Sequence, residues 1–319
     1  VNTGTMEASV QLGSGAGVIA NTGLMLGDVR MGGGEDVFLN ALLNDPEAAG
    51  TIFGSVNMGS GDDLVQNAGQ MGQVFLGTGN DVYTVVTAIE DPTDNFDNAT
   101  ATADMVLGGA GNDEMYGGAA DDLFYGNADH DRMNGHNGND VLIGGQGNDT
   151  IRGGNGDDRI NGNSSKDNLL GGNGDDTING GSGQDRIVGG KGDDRLVGGS
   201  GTDVFVFRGD SGSDVITDFK VDSEVIELEI VSQGSEFGAP TGWYGDADVL
   251  DFITYADGNA VLDLSGLYST FNDLYGSDVL SNKDGIEITF LNVAEDSLTG
   301  DNFLTPQDIF PIEFYEVAL

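Results

Sequence analysis

The sequence predicts an all-β protein whose centre is a parallel β-roll, a solenoid of 18-residue coils between a degenerate N-terminal β-helix and a C-terminal β-rich cap. Three observations predict this fold. Residues 108–206 divide into eleven consecutive nonapeptides without an insertion. Position 1 of every unit is Gly, and position 6 of every unit is Asp. Position 8 is always a large apolar residue.

The composition of one nonapeptide explains how such a solenoid forms. In GGNGDDRIN (153–161), four or five of the Gly, Asn and Asp residues make a tight turn, with Gly where the backbone needs positive φ or close approach. The remaining residues form a short strand with one inward apolar side chain. Two units make one coil, and successive coils stack as parallel strands about 4.8 Å apart. A disordered Gly/Asp-rich linker is the alternative, but disorder does not require an apolar residue at a strict period.

The aligned carboxylates predict that calcium stabilises the roll. One apolar side chain per nine residues is a thin core against about 1–2 kcal/mol of backbone entropy per ordered residue. A divalent cation between neighbouring turns would remove the repulsion between carboxylates, and hard oxygen ligands favour Ca²⁺ over Zn²⁺. The predicted position-6 ligands are Asp113, Asp122, Asp131, Asp140, Asp149, Asp158, Asp167, Asp176, Asp185, Asp194 and Asp203.

Overall charge excludes several classes of partner. The chain has 54 acidic residues against 11 Lys and Arg, a formal net charge of −43. Self-repulsion at this level opposes a compact state unless cations neutralise it. Nucleic acid and anionic membrane surfaces are poor partners because both require basic patches. The chain has no cysteine, which excludes disulfides, a thiolate nucleophile and a zinc–thiolate site.

Targeting signals of the common kinds are not found. The N-terminal residues VNTGTMEASVQLGSGAG lack the basic and apolar regions of a signal peptide. No stretch reaches the roughly 20 apolar residues that a membrane span needs, so membrane insertion is not expected. Either the chain is exported without an N-terminal signal, or residues precede Val1. The sequence leaves both possibilities open.

The repeat GGxGxDx-apolar-x resembles that of the RTX (repeats-in-toxin) proteins. This resemblance implies a calcium-loaded β-roll that folds outside the cell after type I secretion, with calcium and the secretion machinery as partners. DVFVF, DVITDF and EVIEL, between residues 203 and 228, are similar to the C-terminal folding segment of RTX exoproteins. The last four residues, Glu316 to Leu319, look like a type I secretion signal, and Leu319 is then the native end.

Successive turns alternate between two edges of the roll, so each ion is expected to bridge a unit and the second unit after it. The turns of the second edge start at Gly108, Gly126, Gly144, Gly162, Gly180 and Gly198, and His130 and Lys166 occupy position 5 in two of them. We expect strong calcium binding along the first edge and weak binding or missing ions beside Lys166. The first-edge turns, whose opening glycines belong to the predicted sites, start at Gly117, Gly135, Gly153, Gly171 and Gly189.

The two histidines of the chain, His130 and His136, suggest catalysis or a transition metal at first sight. Both lie in nonapeptide turns and have no matching partner. We therefore interpret them as exposed turn residues.

Residues 1–107 repeat the pattern in weaker form. GGGED, GSGDD and GTGND each precede an apolar stretch, and the separations between their aspartates, Asp36, Asp63 and Asp81, equal three and two nonapeptide lengths. The pattern predicts a degenerate β-helix with wider coils, continuous with the roll, and further calcium sites at these aspartates. Residues 88–102 are interpreted as an inserted surface loop.

Residues 207–319 contain most of the aromatic side chains. Alternation predicts strands at VITDF, VIELEI, AVLDL and IEITFLNV. A solenoid needs a cap over its last apolar coil, and this segment is expected to supply it. The chain is thus divided into residues 1–107, 108–206 and 207–319.

No catalytic motif accompanies the repeats. HExxH, GxSxG and the P-loop are absent, and adjacent carboxylates in a strand point to opposite faces. We therefore predict a secreted, non-catalytic structural protein of a surface layer, filament or matrix, which associates with copies of itself. One alternative is the folding and secretion module of a larger exoenzyme or toxin. The other is an adhesin, for which the Trp243–Tyr244 pair is the one indication.

Overall fold

The computed structural model describes residues 1–40, 50–85, 103–208, 211–229, 253–256, 259–263, 287–293, 297–298 and 302–304. The predictions for residues 88–102, for Trp243 and Tyr244, and for the last four residues lie outside this part of the chain. Among the described residues, no helix has the length and apolar character that a membrane span requires.

Three sheets contain every strand of the described residues. The first has fourteen strands, in the order β2 (Val10–Gln11), β5 (Val29–Gly33), β8 (Val56–Ser60), β10 (Gln73–Thr78), β12 (Met105–Ala110), β14 (Leu123–Ala128), β16 (Val141–Gln146), β18 (Arg159–Ser164), β20 (Thr177–Gly183), β22 (Arg195–Gly201), β24 (Ser213–Ile216), β28 (Glu287–Phe290), β27 (Asn259–Asp263) and β26 (Ile253–Ala256). The second has twelve, in the order β29 (Phe303–Leu304), β25 (Val225–Glu229), β23 (Val204–Arg208), β21 (Arg186–Lys191), β19 (Asn168–Asn173), β17 (Thr150–Asn155), β15 (Arg132–Asn137), β13 (Glu114–Tyr116), β11 (Val82–Val85), β9 (Leu64–Asn67), β6 (Val37–Asn40) and β3 (Val18–Ala20). The third has three, in the order β1 (Thr5–Met6), β4 (Leu24–Met25) and β7 (Thr51–Ile52).

The nonapeptide and the strand coincide in the way that the repeat predicts. Most repeat strands run from position 7 of one unit to position 3 of the next, and consecutive strands along the chain belong alternately to the first and the second sheet. In the first sheet, Leu142 of β16 pairs in parallel with Ile160 of β18, which lies two nonapeptides later. The side chains at position 8, from Met115 to Phe205, are at most 2% exposed. The predicted parallel solenoid of 18-residue coils is therefore confirmed.

The N-terminal coils are wider because they have a third side. Val29 pairs with Val56, three nonapeptide lengths further along the chain, and the short strands β4 and β7 form that third side. The next pairing, of Val56 with Val74, spans only two nonapeptide lengths, so the solenoid narrows to two sides there. This confirms the degenerate N-terminal β-helix, whose core is continuous with that of the roll.

The solenoid also continues beyond the last complete nonapeptide. Strands β24 and β25 pair in parallel with β22 and β23, while β26, β27 and β28 are antiparallel. Phe219 packs against Phe205 and Phe290, with ring centroids 6.1 and 5.1 Å away, and covers the end of the core. The β-rich cap is confirmed. Parallel pairing runs across both proposed boundaries, at 107 and at 206, so the three-part division remains a proposal.

Candidate metal centres at the two edges

The position-6 aspartates form two inward-facing columns, one at each edge of the solenoid. Each backbone N–H donates a hydrogen bond to Oδ1 of the aspartate one coil further along, for example from Asp140 to Asp158 at 2.8 Å. The side chains in both columns are at most 4% exposed. The second-edge column is Asp36, Asp63, Asp81, Asp113, Asp131, Asp149, Asp167, Asp185 and Asp203, and the first-edge column is Asp104, Asp122, Asp140, Asp158, Asp176, Asp194 and Asp214.

The other carboxylate oxygen, Oδ2, is buried without a hydrogen-bond partner in nearly every member of these columns. A buried carboxylate oxygen without a partner loses its hydration and gains nothing in return. The repetition of this unpartnered oxygen in coil after coil indicates a cation that completes the site. The oxygens concerned are Oδ2 of Asp36, Asp63, Asp81, Asp113, Asp131, Asp140, Asp149, Asp158, Asp167, Asp176, Asp185, Asp194, Asp203 and Asp214.

The glycine at position 1 brings a second oxygen to the same place. A Cβ atom added to Gly153 would meet Oδ2 of Asp158 at less than contact distance and would lie 2.7 Å from the carbonyl oxygen of Gly171. The same holds for Gly171, whose Cβ would lie 2.5 Å from the carbonyl oxygen of Gly189. Position 1 is therefore Gly because there is no space for a Cβ.

This oxygen set fits calcium. Carboxylate and carbonyl oxygens are the ligands of hard cations. Within the described residues, no three His, Cys, Asp or Glu side chains group as a metal site. The candidate ligand set combines the Oδ2 atoms with backbone carbonyl oxygens such as that of Gly171. Bound calcium would supply the positive charge that the two columns lack.

The unpaired carboxylates have strongly altered proton affinities. Burial raises the pKa of Asp131, Asp140 and Asp176 to about 8, although the N–H of the preceding coil's aspartate acts in the opposite direction. The carboxylates of neighbouring coils raise these pKa values further. The pKa of Asp167 is raised to about 7 and that of Asp158 to about 6, in both cases mainly by burial. Protons therefore compete with a metal ion for the columns near neutral pH.

A second, exposed ladder runs outside the first-edge column, at position 5. Here the backbone N–H of one coil donates to the side chain of the coil before it. Asn139 donates to Oδ1 of Asp121 at 2.7 Å, and Asp157 donates to Oδ1 of Asn139 at 2.8 Å. Asp175 and Asp193 continue the ladder. The acidic and amide side chains at position 5 thus support the turn that surrounds each candidate site.

The corresponding ladder on the second edge contains both of the substitutions noted in the sequence. His130 accepts a hydrogen bond on Nδ1 from the N–H of Asn148 at 2.7 Å, so it replaces an amide there. The N–H of Lys166 donates to Oδ1 of Asn148 at 3.0 Å, but an ammonium group has no acceptor for the next coil. Weak calcium binding beside Lys166 remains our prediction.

The two histidines have different environments. His130 is exposed, as expected. His136 lies in β15 with positive φ (75°), and its side chain is only partly exposed. The expectation that both are exposed turn residues is therefore wrong for His136, because position 2 faces the neighbouring coil.

The turn that starts at Gly117 differs from the other four on the first edge. Neither Gly118 nor Ala120 has the positive φ that positions 2 and 4 usually adopt. Ala120 replaces the usual glycine, and its Cβ disfavours that conformation. In the altered turn, the N–H of Gly118 donates to Oδ2 of Asp122 at 3.0 Å, and the N–H of Asp104 donates to Oδ1 at 2.8 Å, so this carboxylate already has partners for both oxygens.

Two members of the first-edge column were missed in the sequence analysis. Asp104 lies one nonapeptide length before Asp113, in a unit without glycine, and the hydroxyl of Tyr83 donates to its Oδ2 at 2.7 Å. Asp214 is position 6 of GDSGSDVIT (209–217), which Phe207 and Arg208 displace by two positions. The predicted N-terminal residues Asp36, Asp63 and Asp81 do lie in a column, on the second edge.

An asparagine ladder runs along the first edge of the N-terminal coils, at the position that the opening glycine has in the roll. Nδ2 of Asn21 donates to Oδ1 of Asn40, and Nδ2 of Asn40 donates to Oδ1 of Asn67, both at 2.9 Å. Asn67 then donates to the Tyr83 hydroxyl at 3.2 Å. An amide both donates and accepts, so this ladder satisfies itself without a cation.

A comparison with protein-family profiles agrees with this geometry. The family profile "RTX calcium-binding nonapeptide repeat (4 copies)" matches residues 98–133, 134–169 and 170–205. No curated protein sequence matches the chain.

Three solved structures resemble parts of the chain. They are the extracellular lipase LipA from Serratia marcescens (17% identity, TM-score 0.33, 70% of this chain and 45% of the lipase), the AlgE6R2 subunit of the Azotobacter vinelandii mannuronan C5-epimerase (26%, 0.33, 49% and 93%) and the AlgE6R3 subunit of the same enzyme (17%, 0.24, 71% and 89%). The chain thus spans less than half of the lipase. Residues 98–205 of this chain thus match the profile of RTX calcium-binding repeats, and the described part of this range, residues 103–205, forms the parallel β-roll that such repeats imply.

Proposed function

We propose that the chain is a secreted, non-catalytic protein that folds when it meets extracellular calcium and then serves as a structural component of a surface layer, filament or matrix. RTX nonapeptide repeats bind Ca²⁺. The observation that carries the folding part of the proposal is the repeated, buried and unpartnered Oδ2 of the two aspartate columns. Calcium between the coils would satisfy these oxygens and reduce the net charge of −43.

The difference in calcium concentration across the cell envelope would control folding. Extracellular calcium-binding modules have dissociation constants of about 10⁻⁴–10⁻³ M, whereas cytosolic calcium is far lower. Inside the cell, the columns would stay empty, and mutual repulsion would keep the chain unfolded and suitable for export. RTX repeat proteins are typically secreted by type I systems. An extracellular or cell-surface location of this chain is part of the proposal.

The structural role is supported by the uniformity of the architecture. In the described residues, every strand belongs to one of the three solenoid sheets, including the strands of the cap. These sheets leave no separate folded unit within the described part of the chain that would hold a catalytic site. A solenoid with repeating edges also presents the same groups at regular spacing, which suits association between copies.

Sedimentation velocity of the purified full-length chain during a calcium titration tests both parts of the proposal. The titration starts in chelator, and magnesium at the same concentrations is the control. We expect compaction with calcium and not with magnesium, followed by reversible assembly into large particles. A discrete compact monomer would overturn the structural role and favour a soluble module. No compaction up to about 10 mM calcium would overturn the calcium-dependent folding itself.

A further inference from the structure

The C-terminal end of the second-edge column has a carboxylate that the repeat does not predict. Strand β25 pairs in parallel with β23, with Val225 opposite Val204, so Glu224 stands where the next position-6 aspartate would be. The backbone confirms the equivalence. The N–H of Val225 donates to the carbonyl oxygen of Asp203 at 3.0 Å, as Val204 does to Asp185 at 2.8 Å. Glu224 is 1% exposed, as buried as the aspartates.

Unlike those aspartates, Glu224 has a cationic partner. Nζ of Lys220 donates to Oε1 of Glu224 at 2.5 Å, and the backbone N–H of Lys220 donates to Oε2 at 2.8 Å. The carboxyl group that continues the column is therefore fully satisfied from within the chain. In the rest of this column, from Asp36 to Asp203, Oδ2 has no partner.

The same ammonium group also contacts the preceding turn. Nζ of Lys220 donates to the carbonyl oxygen of Gly199, position 2 of the last complete turn on this edge, at 2.5 Å. The carboxylate of Asp218 lies 3.9 Å from Nζ and accepts hydrogen bonds from the N–H groups of Gly198 and Gly199 at 2.9 and 2.8 Å. One positive charge is thus held by a backbone carbonyl of one coil and the buried carboxylate of the next. Burial acts to lower the pKa of Lys220, but Glu224 and Asp218 outweigh it, so the group stays charged.

We propose that Lys220 is a tethered cation that takes the place of the last metal ion on the second edge. The inference rests on the proposed calcium-dependent folding, because it assigns a metal-free gap within an otherwise metal-bridged column. The gap between the turn at 198–203 and the coil that contains Glu224 is closed by an ammonium group instead of calcium. The segment 218–229 therefore docks on the end of the roll without an ion of its own.

The number of bound calcium ions tests this inference directly. The full-length chain is dialysed to equilibrium against buffer of saturating calcium concentration, and the bound calcium is the difference in calcium content between the two sides of the dialysis membrane, measured by mass spectrometry of the metal. We expect Lys220→Ala and Lys220→Gln to bind one more calcium ion per chain than the wild type, because the carboxylate and the carbonyl lose their cationic partner. Lys220→Arg and Lys191→Ala should bind the wild-type number. The first keeps the cation, and the second removes the same charge from an exposed position.

A wild-type number of ions in both neutral variants would overturn the inference, even if their stability falls, since the loss of an ordinary ion pair would change stability alone. A wild type without bound calcium would instead refute the proposed function. Where the variants do not fold, a crystal structure of the calcium-loaded wild type decides the matter. Anomalous scattering from a calcium ion at the Glu224 carboxylate would overturn the inference, whereas Nζ of Lys220 at that place would support it.

Discussion

The backbone N–H of Asp158 donates a 2.8 Å hydrogen bond to Oδ1 of Asp176, and Oδ2 of Asp176 is left buried without a partner. One carboxylate group thus serves two purposes. One oxygen fixes the spacing of two coils, and the other is available to a cation. Because the two purposes belong to different oxygens, substitutions can separate them.

The neighbouring residues Asp157 and Asp158 provide a matched pair for such a substitution. Asp158→Asn keeps the Oδ1 acceptor but replaces the unpartnered oxygen, so we expect fewer bound calcium ions and a higher calcium concentration at the folding midpoint. Asp157→Asn removes the same charge from an exposed position and keeps its acceptor for Asp175. Circular dichroism during a calcium titration measures the midpoint. Equal shifts in the two variants would show that only net charge matters.

Proton competition predicts a clear dependence on pH. In the calcium-free fold, the pKa values of Asp131, Asp140, Asp176 and Asp214 are raised to about 8, from an ordinary value of 3.8. Between these values the folded state binds more protons than the unfolded state, so its stability falls as pH rises from about 4 to about 8. We expect more residual structure in chelator at pH 5 than at pH 8.

Because these pKa values are raised, the buried aspartates carry protons near neutral pH and release them when calcium binds. The calcium concentration at the folding midpoint should decrease as pH rises from 6 to 8. Calorimetry in buffers of different ionisation enthalpy measures the released protons directly. A midpoint that does not change over this range would contradict the assignment of the buried aspartates as ligands.

The position-1 glycine is expected to be sensitive to the addition of a single methyl group. In Gly153→Ala, the new Cβ would enter the space between Oδ2 of Asp158 and the carbonyl oxygen of Gly171, and we expect a cost of about 1–3 kcal/mol. Gly15→Ala is the control, because a Cβ added to Gly15 would have no atom within 4 Å. The free energy of unfolding by urea in saturating calcium measures both. An equal loss for Gly15→Ala would contradict this account.

The asparagine ladder predicts a region whose first edge folds without metal. Asn40→Asp replaces the donor to Oδ1 of Asn67 with a second oxygen, so we expect a loss of about 1–3 kcal/mol that local hydrogen exchange of β6 and β9 reports. Asn57→Asp introduces the same charge at an exposed position of β8 and should have little effect. Similar exchange in the two variants would show that the ladder contributes no stability.

Repair of the second edge provides a gain-of-function test. In Lys166→Asn, the new amide oxygen can accept a hydrogen bond from a backbone N–H of the next coil. The substitution also removes a positive charge beside the aspartate column. We expect tighter calcium binding and a lower midpoint. Lys191→Asn, with the same change of charge at an exposed position of the first edge, is the control. An equal response from both variants would refute a local effect of Lys166.

The repeat fold and most of the candidate ligands could be predicted from the sequence, because one residue type recurs at one spacing. Asp104 and Asp214 could not be found in this way. The unit of Asp104 has lost its glycines, and that of Asp214 is shifted by two positions. In both units, the only part of the repeat pattern left beside the aspartate is the buried apolar residue two positions after it, Val106 or Ile216.

Features that depend on contacts between coils were out of reach of sequence reasoning. Asn40 and Asn67 are separated by three nonapeptide lengths, like Asp36 and Asp63, but an isolated asparagine after a strand looks like an ordinary turn residue. The ammonium group of Lys220 could be exposed to solvent or bound to Glu224. Which of the two occurs depends on the path of the chain between β23 and β25. The altered turn at Ala120 does have a signal in the sequence, the missing glycine at position 4. Asp129 and Ser165 keep positive φ at the same position without glycine, so that signal alone does not give the conformation of the turn.

The forward hydrogen bond from each buried aspartate to the next has an evolutionary consequence. Every coil receives from its predecessor the same donors and acceptors that it offers to its successor, so the array has no preferred length. Duplication or deletion of two whole nonapeptides within the uniform stretch would leave all remaining neighbours matched. Duplication or deletion of a single nonapeptide would exchange the two edges for all later units. Turns of the second edge, such as the one with Lys166, would then stack on the acidic turns of the first edge. Such a protein can lengthen by copying its own gene segment, in steps of one full coil.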